Sequence, residues 1–333
     1  MEPGQTIAGR YRIDREIGRG NFGIVYLAED ERTGDLRAIK VLLPWAARNE
    51  QLRHRLRREA RLAGSLTGEH AVKIHESGET QEGDVFLAME YLQGEELTHV
   101  LQNRGPLPPA RVQEIAQQVL AALDEAHRLG VIHRDLKPSN IFLCRDADGR
   151  DFVKVFDFGI AKVTGDGDLM ATAKLTVSGG VMGTPVYMSP EQCRGEELTP
   201  ASDFYSLGIV LYELLAGRVP FDDENPVRIM LMQNQDSVPP LPAAIAASPL
   251  GQAVRRSLAK QPGDRFATAG EFQAALRGEV TRPTPPPAAA EPRPERPAAQ
   301  SAQPAKSAAW IWWVLAAALL LAAGGVLLFM AWR

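Results

Sequence analysis

His133-Arg134-Asp135-Leu136-Lys137-Pro138-Ser139-Asn140, followed further along by Asp157-Phe158-Gly159, is the stretch on which the reading of this chain turns. It collects a base, a cation and two hard oxygen donors in one short segment. Asp135 suits the acceptance of a proton from an attacking hydroxyl. Lys137 suits the neutralisation of a transferring phosphoryl group, and Asn140 and Asp157 supply the oxygens that Mg²⁺ prefers. A single Asp or Asn is usually a turn or cap residue. The whole constellation is far harder to obtain by chance.

Upstream, Ile17-Gly18-Arg19-Gly20-Asn21-Phe22-Gly23-Ile24-Val25-Tyr26 carries glycines at a spacing that also marks dinucleotide-binding turns, where the third glycine opens a helix. Here Tyr11 to Ile17 and Ile24 to Ala28 both read as strand, so the glycines fall in a hairpin. A hairpin tip without side chains can lie close over phosphate oxygens and offer them backbone N–H groups. The next strand ends Ala38-Ile39-Lys40, and a lysine inside an apolar strand is costly unless paired. Its expected partner is Glu59, on a helix over about 48–63 in which Leu52, Leu56, Ala60 and Ala63 recur at helical spacing. Arg53, Arg55, Arg57, Arg58 and Arg61 surround Glu59, either as a solvated basic face or as a receiver for a phosphorylated loop. Val72 to Ile74 and Val85 to Met89 read as two further strands. Glu90-Tyr91-Leu92-Gln93-Gly94 then reads as a connector between lobes, with backbone available to an adenine edge. Arg111 to Leu129 is a long amphipathic helical pattern capped by Gly130.

In this order the motifs resemble those of eukaryotic-type (Hanks-type) protein kinases, and more narrowly the membrane-anchored bacterial Ser/Thr kinases, over roughly residues 10–277. The resemblance implies an α+β, bilobal fold over 1–280. A small antiparallel β-sheet lobe with one helix would occupy about 1–90, and a larger, mainly helical lobe about 94–280. It implies that Gly18, Gly20 and Gly23 cover the phosphates of ATP, next to Ile17. Val25, Ala38, Phe142 and Phe156 would sandwich the adenine, with Met89 as gatekeeper and Glu90 and Leu92 on the connector. Lys40, held by Glu59, would bind the α- and β-phosphates. Asp135 would orient the substrate hydroxyl and accept its proton, and Asn140 and Asp157 would hold Mg²⁺ or Mn²⁺. Positioning and charge neutralisation supply most of the catalysis in such a site.

Lys137, together with Gly183-Thr184-Pro185, is similar to the Ser/Thr-specific pattern, which makes Thr184 part of the expected substrate platform. Met188-Ser189-Pro190-Glu191 stands where the family has Ala-Pro-Glu. The resemblance implies a deep pair between Glu191 and Arg265, and an Asp203 that ties down the catalytic-loop backbone. Tyr205 replaces the common Trp, a departure of packing rather than chemistry. Between Gly159 and Gly183 the polar, glycine-rich segment reads as an activation loop. Thr172, Thr176 and Ser178 are its candidates for phosphorylation, with an ordinary solvated hydroxyl as the alternative at each. Arg134 would receive such a phosphate through charge-assisted hydrogen bonds.

Composition bounds the rest. The 333 residues are 45% hydrophobic and 23% charged, enough for a large two-lobed core. A net charge of −4 argues against a nucleic-acid partner. Cys144 and Cys193 give neither a disulfide framework nor metal-ligand spacing and suit a reducing compartment. Met1-Glu2-Pro3-Gly4-Gln5 lacks a basic n-region and an apolar h-region, so no cleavable signal is expected. Residues 281–306 form a Pro/Ala-rich, disordered linker, read as a spacer, in which Pro285-Pro286-Pro287 also suits an aromatic groove. Trp310 to Trp332 has no charged side chain; as a helix it would run about 34 Å, enough for a hydrocarbon core of about 30 Å. Trp310, Trp312, Trp313 and Trp332 lie at its ends. A buried core helix is the alternative to a transmembrane one. Arg282, Arg293, Arg296 and Lys306 on the linker side place the globular part in the cytoplasm, at the inner (plasma) membrane, single-pass.

Three functions follow as rivals. The first is an active Ser/Thr protein kinase acting on protein substrates, with a homodimer for trans-autophosphorylation. The second is a pseudokinase-like membrane-tethered scaffold, which typically loses one of the residues that Lys40, Asp135, Asn140 and Asp157 here retain. The third is a small-molecule phosphotransferase, which generally lacks the Gly-Thr-Pro and Pro-Glu platform.

Overall fold

Gly23–Asp30 and Leu36–Leu42 are rich in β-branched and apolar residues, and their pairing sets the geometry of the smaller lobe. The computed structural model describes residues 1–20, 23–42, 64–80, 83–158 and 185–279. The chain divides into two compact units, Met1–Thr284 and Pro285–Arg333, and every described residue belongs to the first. The helix expected over 48–63, the loop 159–184, the linker 281–306 and the span 310–332 lie outside the described residues.

Strands β1 (Thr6–Ile7), β2 (Tyr11–Arg19), β3 (Gly23–Asp30), β4 (Leu36–Leu42), β5 (Ile74–Glu79) and β6 (Val85–Glu90) form one antiparallel sheet in the order β1-β2-β3-β4-β6-β5. Register assigns the two faces different work, because side chains alternate along each strand. Tyr26, Ile39 and Ala88 lie opposite one another and pack with Tyr11, Ile13 and Phe86 into a small core. The other face carries Val25 opposite Lys40, and Ala38 opposite Met89. Gly23 sits where β3 and β4 approach closely: a Cβ there would lie 2.6 Å from the Val41 carbonyl oxygen. Packing alone demands that glycine, whatever its neighbours do for a phosphate.

The larger lobe begins with β7 (Gly94–Glu96), which pairs with β8 (Ile141–Arg145) and β9 (Asp151–Val155) in a second, three-stranded sheet. Around it lie helices α1 (Leu97–Arg104), α2 (Pro109–Arg128), α3 (Pro190–Arg194), α4 (Pro200–Ala216), α5 (Pro226–Gln235), α6 (Ala243–Ala246), α7 (Pro249–Ser257) and α8 (Ala269–Leu276). Helix α4 is buried on nearly every side, as its almost continuous apolar sequence requires. Helix α2 ends as its sequence suggests. Gly130 takes φ +73° and donates to the His127 carbonyl, while Val131 donates to that of Ala126, a Schellman closure.

The expected strand at Val72–Ile74 is displaced. Strand β5 starts only at Ile74, because the backbone just before it is committed elsewhere. Val72 donates to the Val155 carbonyl at 2.9 Å, and Val155 donates to that of His70 at 2.8 Å. Glu125 on α2 accepts from the backbone N–H groups of Thr67 and Gly68 at 2.7 and 2.9 Å. Residues 67–72 are thus fastened to the larger lobe, and the six-stranded sheet departs from that fixed point.

Candidate active site

Lys40 carries the inward face of the sheet to the larger lobe. Its Nζ lies 2.7 Å from both carboxylate oxygens of Asp157, with both side chains mostly buried. Val25, Ala38 and Met89 share that face by register. From the other side, Phe142 lies opposite Lys154 on β8 and β9. Lys154 Nζ reaches the Glu90 carboxylate at 2.7 Å, so this face of the small sheet is turned toward the six-stranded one. Val25, Met89, Phe142 and Phe156 remain half-buried, while Ile17 is exposed. Residues 91–93, Leu92 among them, connect β6 to β7 outside both sheets. Glu90 offers less backbone than expected, because its N–H is taken by the Lys73 carbonyl at 3.0 Å.

Asp135 follows α2 and the Schellman turn. Lys137 Nζ donates to Asp135 Oδ2 at 2.8 Å, and Asn140 Nδ2 donates to the Asp135 carbonyl at 2.8 Å. That second bond engages the amide nitrogen and leaves Asn140 Oδ1 as an acceptor. The Phe156 N–H bonds the Asn140 carbonyl at 3.1 Å, which places the residue before Asp157 against the catalytic loop. Asp157 itself has φ +62° and Arg134 φ +68°, both in the left-handed region that costs a non-glycine residue free energy.

The strain at Arg134 is held by hydrogen bonds on both sides. Asp203 Oδ1 accepts the Arg134 N–H at 2.9 Å, and Asp203 Oδ2 accepts the His133 N–H at 2.8 Å. The Arg134 carbonyl accepts from Gln192 Nε2 at 2.6 Å. His127 Nε2 donates to Asp203 Oδ2 at 2.8 Å. His133 is buried, donates from Nε2 to the Phe156 carbonyl at 3.0 Å and accepts the Asp135 N–H at Nδ1, with its ring packed on Phe158. The Arg134 side chain is exposed and pairs with no acid among the described residues.

Beneath the site, Arg265 forks onto Glu191 at 2.7 and 2.9 Å and also donates to the carbonyls of Ala201, Ala259 and Lys260. Burial pushes the Glu191 carboxyl up, but the Arg265 hydrogen bonds and charge outweigh it and hold it below the usual range. Tyr187 donates its hydroxyl to Glu213 Oε2 at 2.7 Å, and burial raises both groups. Tyr205 corrects the sequence reading. Its hydroxyl donates to Gln233 Oε1 at 2.6 Å, so the Trp-to-Tyr change is one of chemistry as well as packing.

Gly18, Gly20 and Gly23 sit in and beside the β2–β3 hairpin, and Gly20 N–H bonds the Gly23 carbonyl at 2.9 Å. Glu59, Thr172, Thr176, Ser178 and Thr184 lie outside the described residues. Sequence reasoning missed His127, Gln192 and Gln233. Two of these carried a signal: His127 continues the buried stripe of Leu120 and Leu123, and Gln233 that of Ile229.

Among the described residues no cluster of three His, Cys, Asp or Glu can hold a metal alone. Asn140 Oδ1 and the Asp157 carboxylate, whose oxygens here meet Lys40, are oxygen donors of the kind that Mg²⁺ takes alongside phosphate oxygens and water. The site is therefore built from both lobes, with Lys137 on the Asp135 carboxylate, Asn140 on the Asp135 carbonyl, and Lys40 reaching from the sheet onto Asp157.

Known proteins resemble this chain in sequence and fold. The protein kinase domain model matches residues 11–274. The chain is 40% identical over 278 residues to serine/threonine-protein kinase pkn3 of Myxococcus xanthus, covering 82% of this chain and 50% of that protein. It is 37% identical over 281 residues to probable serine/threonine-protein kinase PknB of Bifidobacterium longum, covering 81% and 40%. The chain thus spans about half the length, or less, of these curated relatives. The crystal structure of the Mycobacterium tuberculosis PknI kinase domain superposes with a TM-score of 0.63 at 28% identity, over 84% of this chain and 100% of that one. With its family model spanning most of the chain and a relative 40% identical across 82% of it, the chain belongs to the protein kinase domain family.

Proposed function

We propose that this chain is a serine/threonine protein kinase that transfers the γ-phosphoryl group of ATP to protein Ser and Thr hydroxyls from the cytoplasmic face of the inner membrane. The observation that carries the reading is the Asp135–Lys137–Asn140 cluster, joined to the Lys40–Asp157 pair through the Phe156 N–H on the Asn140 carbonyl. The names of the curated relatives support it.

In this reading Asp135 orients the acceptor hydroxyl and takes its proton at a carboxylate oxygen. Lys137, 2.8 Å away, keeps that carboxylate in place and lies ready to meet developing charge on the phosphoryl oxygens. Lys40 binds the α- and β-phosphates, with Glu59 as its partner on the helix over 48–63. Asn140 and Asp157 would hold Mg²⁺ or Mn²⁺, which when bound neutralises phosphate charge. The apolar side chains of Val25, Ala38, Met89, Phe142 and Phe156 exclude water from the adenine, and the connector backbone reads its edge.

Control is assigned to the loop 159–184, through Thr172, Thr176 or Ser178. The exposed Arg134 guanidinium, on a backbone pinned by Asp203 and Gln192, would receive such a phosphate. The linker 281–306 and a transmembrane helix over 310–332 supply the anchor, and a homodimer supplies trans-autophosphorylation. Among the described residues no helix is long and apolar enough to cross a membrane.

A scaffold that binds nucleotide without transfer is the rival. Incubation of the full chain with Mg²⁺ and labelled ATP separates the two. Label on Ser and Thr, including the loop positions, is expected; nucleotide binding with no label on any protein supports the scaffold.

A further inference from the structure

Helix α5 has two fully turned-in side chains among its buried residues, Ile229 and Gln233. A glutamine at an apolar-face position is costly unless both ends of its amide are satisfied. Both are. Gln233 Nε2 donates to the Val186 carbonyl at 2.5 Å, and Gln233 Oε1 accepts the Tyr205 hydroxyl at 2.6 Å. Tyr205 and Gln233 have no measurable exposure, so no water can substitute at either contact. Val186 lies in the short turn Pro185–Tyr187, directly after the Thr184 that the family resemblance puts at the substrate platform.

The direction of each bond is forced. The Val186 carbonyl can only accept, so the amide nitrogen faces it and leaves Oε1 to the Tyr205 hydroxyl, which must then donate. Phe at 205 would leave Oε1 without a donor, and a tryptophan carries its only N–H on a differently shaped ring. The tyrosine ring is fixed in turn, since the Arg265 guanidinium stacks 4.8 Å from its centroid. The backbone end of Gln233 is fixed by Lys260, whose Nζ donates to the Gln233 carbonyl at 2.8 Å over the ring of Phe221. Burial lowers that lysine to about 8. Next to Tyr205, Ser206 Oγ donates to the Tyr187 carbonyl at 2.8 Å.

We propose that Tyr205 and Gln233 are positioning residues for the protein substrate: the hydroxyl orients the Gln233 amide, which holds the Val186 carbonyl and thereby sets the platform against which the acceptor segment docks. This rests on the protein kinase reading above. The pair touches neither nucleotide nor reacting atoms, so its effect falls on protein-substrate KM and leaves nucleotide affinity alone.

The test uses the full chain in detergent, with myelin basic protein as acceptor and three variants: Tyr205→Phe, Gln233→Leu and the double variant. Each single change is expected to raise the KM for the acceptor about tenfold, the scale of one lost buried hydrogen bond. The double variant is expected to do no more than either alone, because the two act as one device. The KM for ATP stays at the wild-type value. Hydrogen–deuterium exchange at residues 185–189 is expected to quicken in all three. An unchanged acceptor KM in Tyr205→Phe, or additive effects in the double variant, overturns the proposal. Should Gln233→Leu fail to fold, Tyr205→Phe alone decides, since it keeps the ring. If the wild-type chain transfers no phosphate, the kinase reading has failed. The exchange measurement still judges the device: unchanged exchange in Tyr205→Phe rejects it, and faster exchange keeps it as a platform clamp.

Discussion

Lys40 and Asp157 stand 117 positions apart and meet with the ammonium nitrogen 2.7 Å from each carboxylate oxygen. The contact runs from the inward face of β4 to the segment after β9, so it exists only when the two lobes are assembled. Lys40→Met removes this cation from both the carboxylate and the phosphates it is proposed to bind. Phosphoryl transfer is expected to fall by about 10²–10³-fold, the cost of one preorganised electrostatic contact. Both side chains keep some solvent exposure, so the thermal midpoint should drop by only a few degrees. Rate and melting measurements on the same preparation check the two halves.

Asp203 accepts two backbone N–H groups of the catalytic loop and the His127 ring N–H. Asp203→Ala leaves buried donors without an acceptor, at about 1–3 kcal/mol for each unsatisfied group. It also frees Arg134 from a left-handed backbone conformation that persists only while its surroundings enforce it. Asp135 should then lose its alignment. The expected pattern is a large fall in kcat, about 10²-fold for a displacement near 1 Å, with nucleotide affinity by calorimetry nearly unchanged. A parallel loss of both would assign Asp203 to general stability instead.

The Glu191–Arg265 pair is fully buried, and every donor of the guanidinium has a partner. Arg265→Ala strands the carboxylate and should cost about 3–5 kcal/mol. The pH dependence has a definite sign. Glu191 titrates lower in the fold than in the unfolded chain, whose value is near 4.5. Its contribution is therefore complete above that value and is lost as pH falls through the folded value. Urea unfolding should show wild type more stable than Glu191→Gln at pH 6, with the gap narrowing below pH 4.5.

The proposed anchor is tested by ending the chain after residue 306. That form should appear in the soluble fraction, while the full chain requires detergent. Continued pelleting of the shortened form with membranes would place the anchor elsewhere.

Much of this architecture is legible in the sequence because it is local. Strand alternation around Val25 and Ala38, the glycines at the β2–β3 turn and the Gly130 helix stop each follow from a few neighbouring residues. What escapes is decided by partners far along the chain. Val72 looks like strand, yet its N–H belongs to Val155 across the lobe boundary. The left-handed Arg134 carries no local mark, since it is not glycine, asparagine or aspartate and is held by Asp203 and Gln192, far along the chain. Gly23 reads as a phosphate-cradle residue, but the close approach of Val41 already demands it. Tyr205 reads as an aromatic exchanged for another until Gln233 is brought to its hydroxyl.

The site around Asp135 is proposed to move phosphate from ATP onto protein Ser or Thr. Mass spectrometry of the full chain and an acceptor protein, after incubation with Mg²⁺ and ATP, tests it most directly when wild type and Asp135→Asn are run side by side. Phosphoserine and phosphothreonine are expected with the wild-type chain, and a loss of about 10²–10⁴-fold in the variant, the range for removing a general base. Equal phosphorylation by both, or phosphate only on tyrosine, would contradict it.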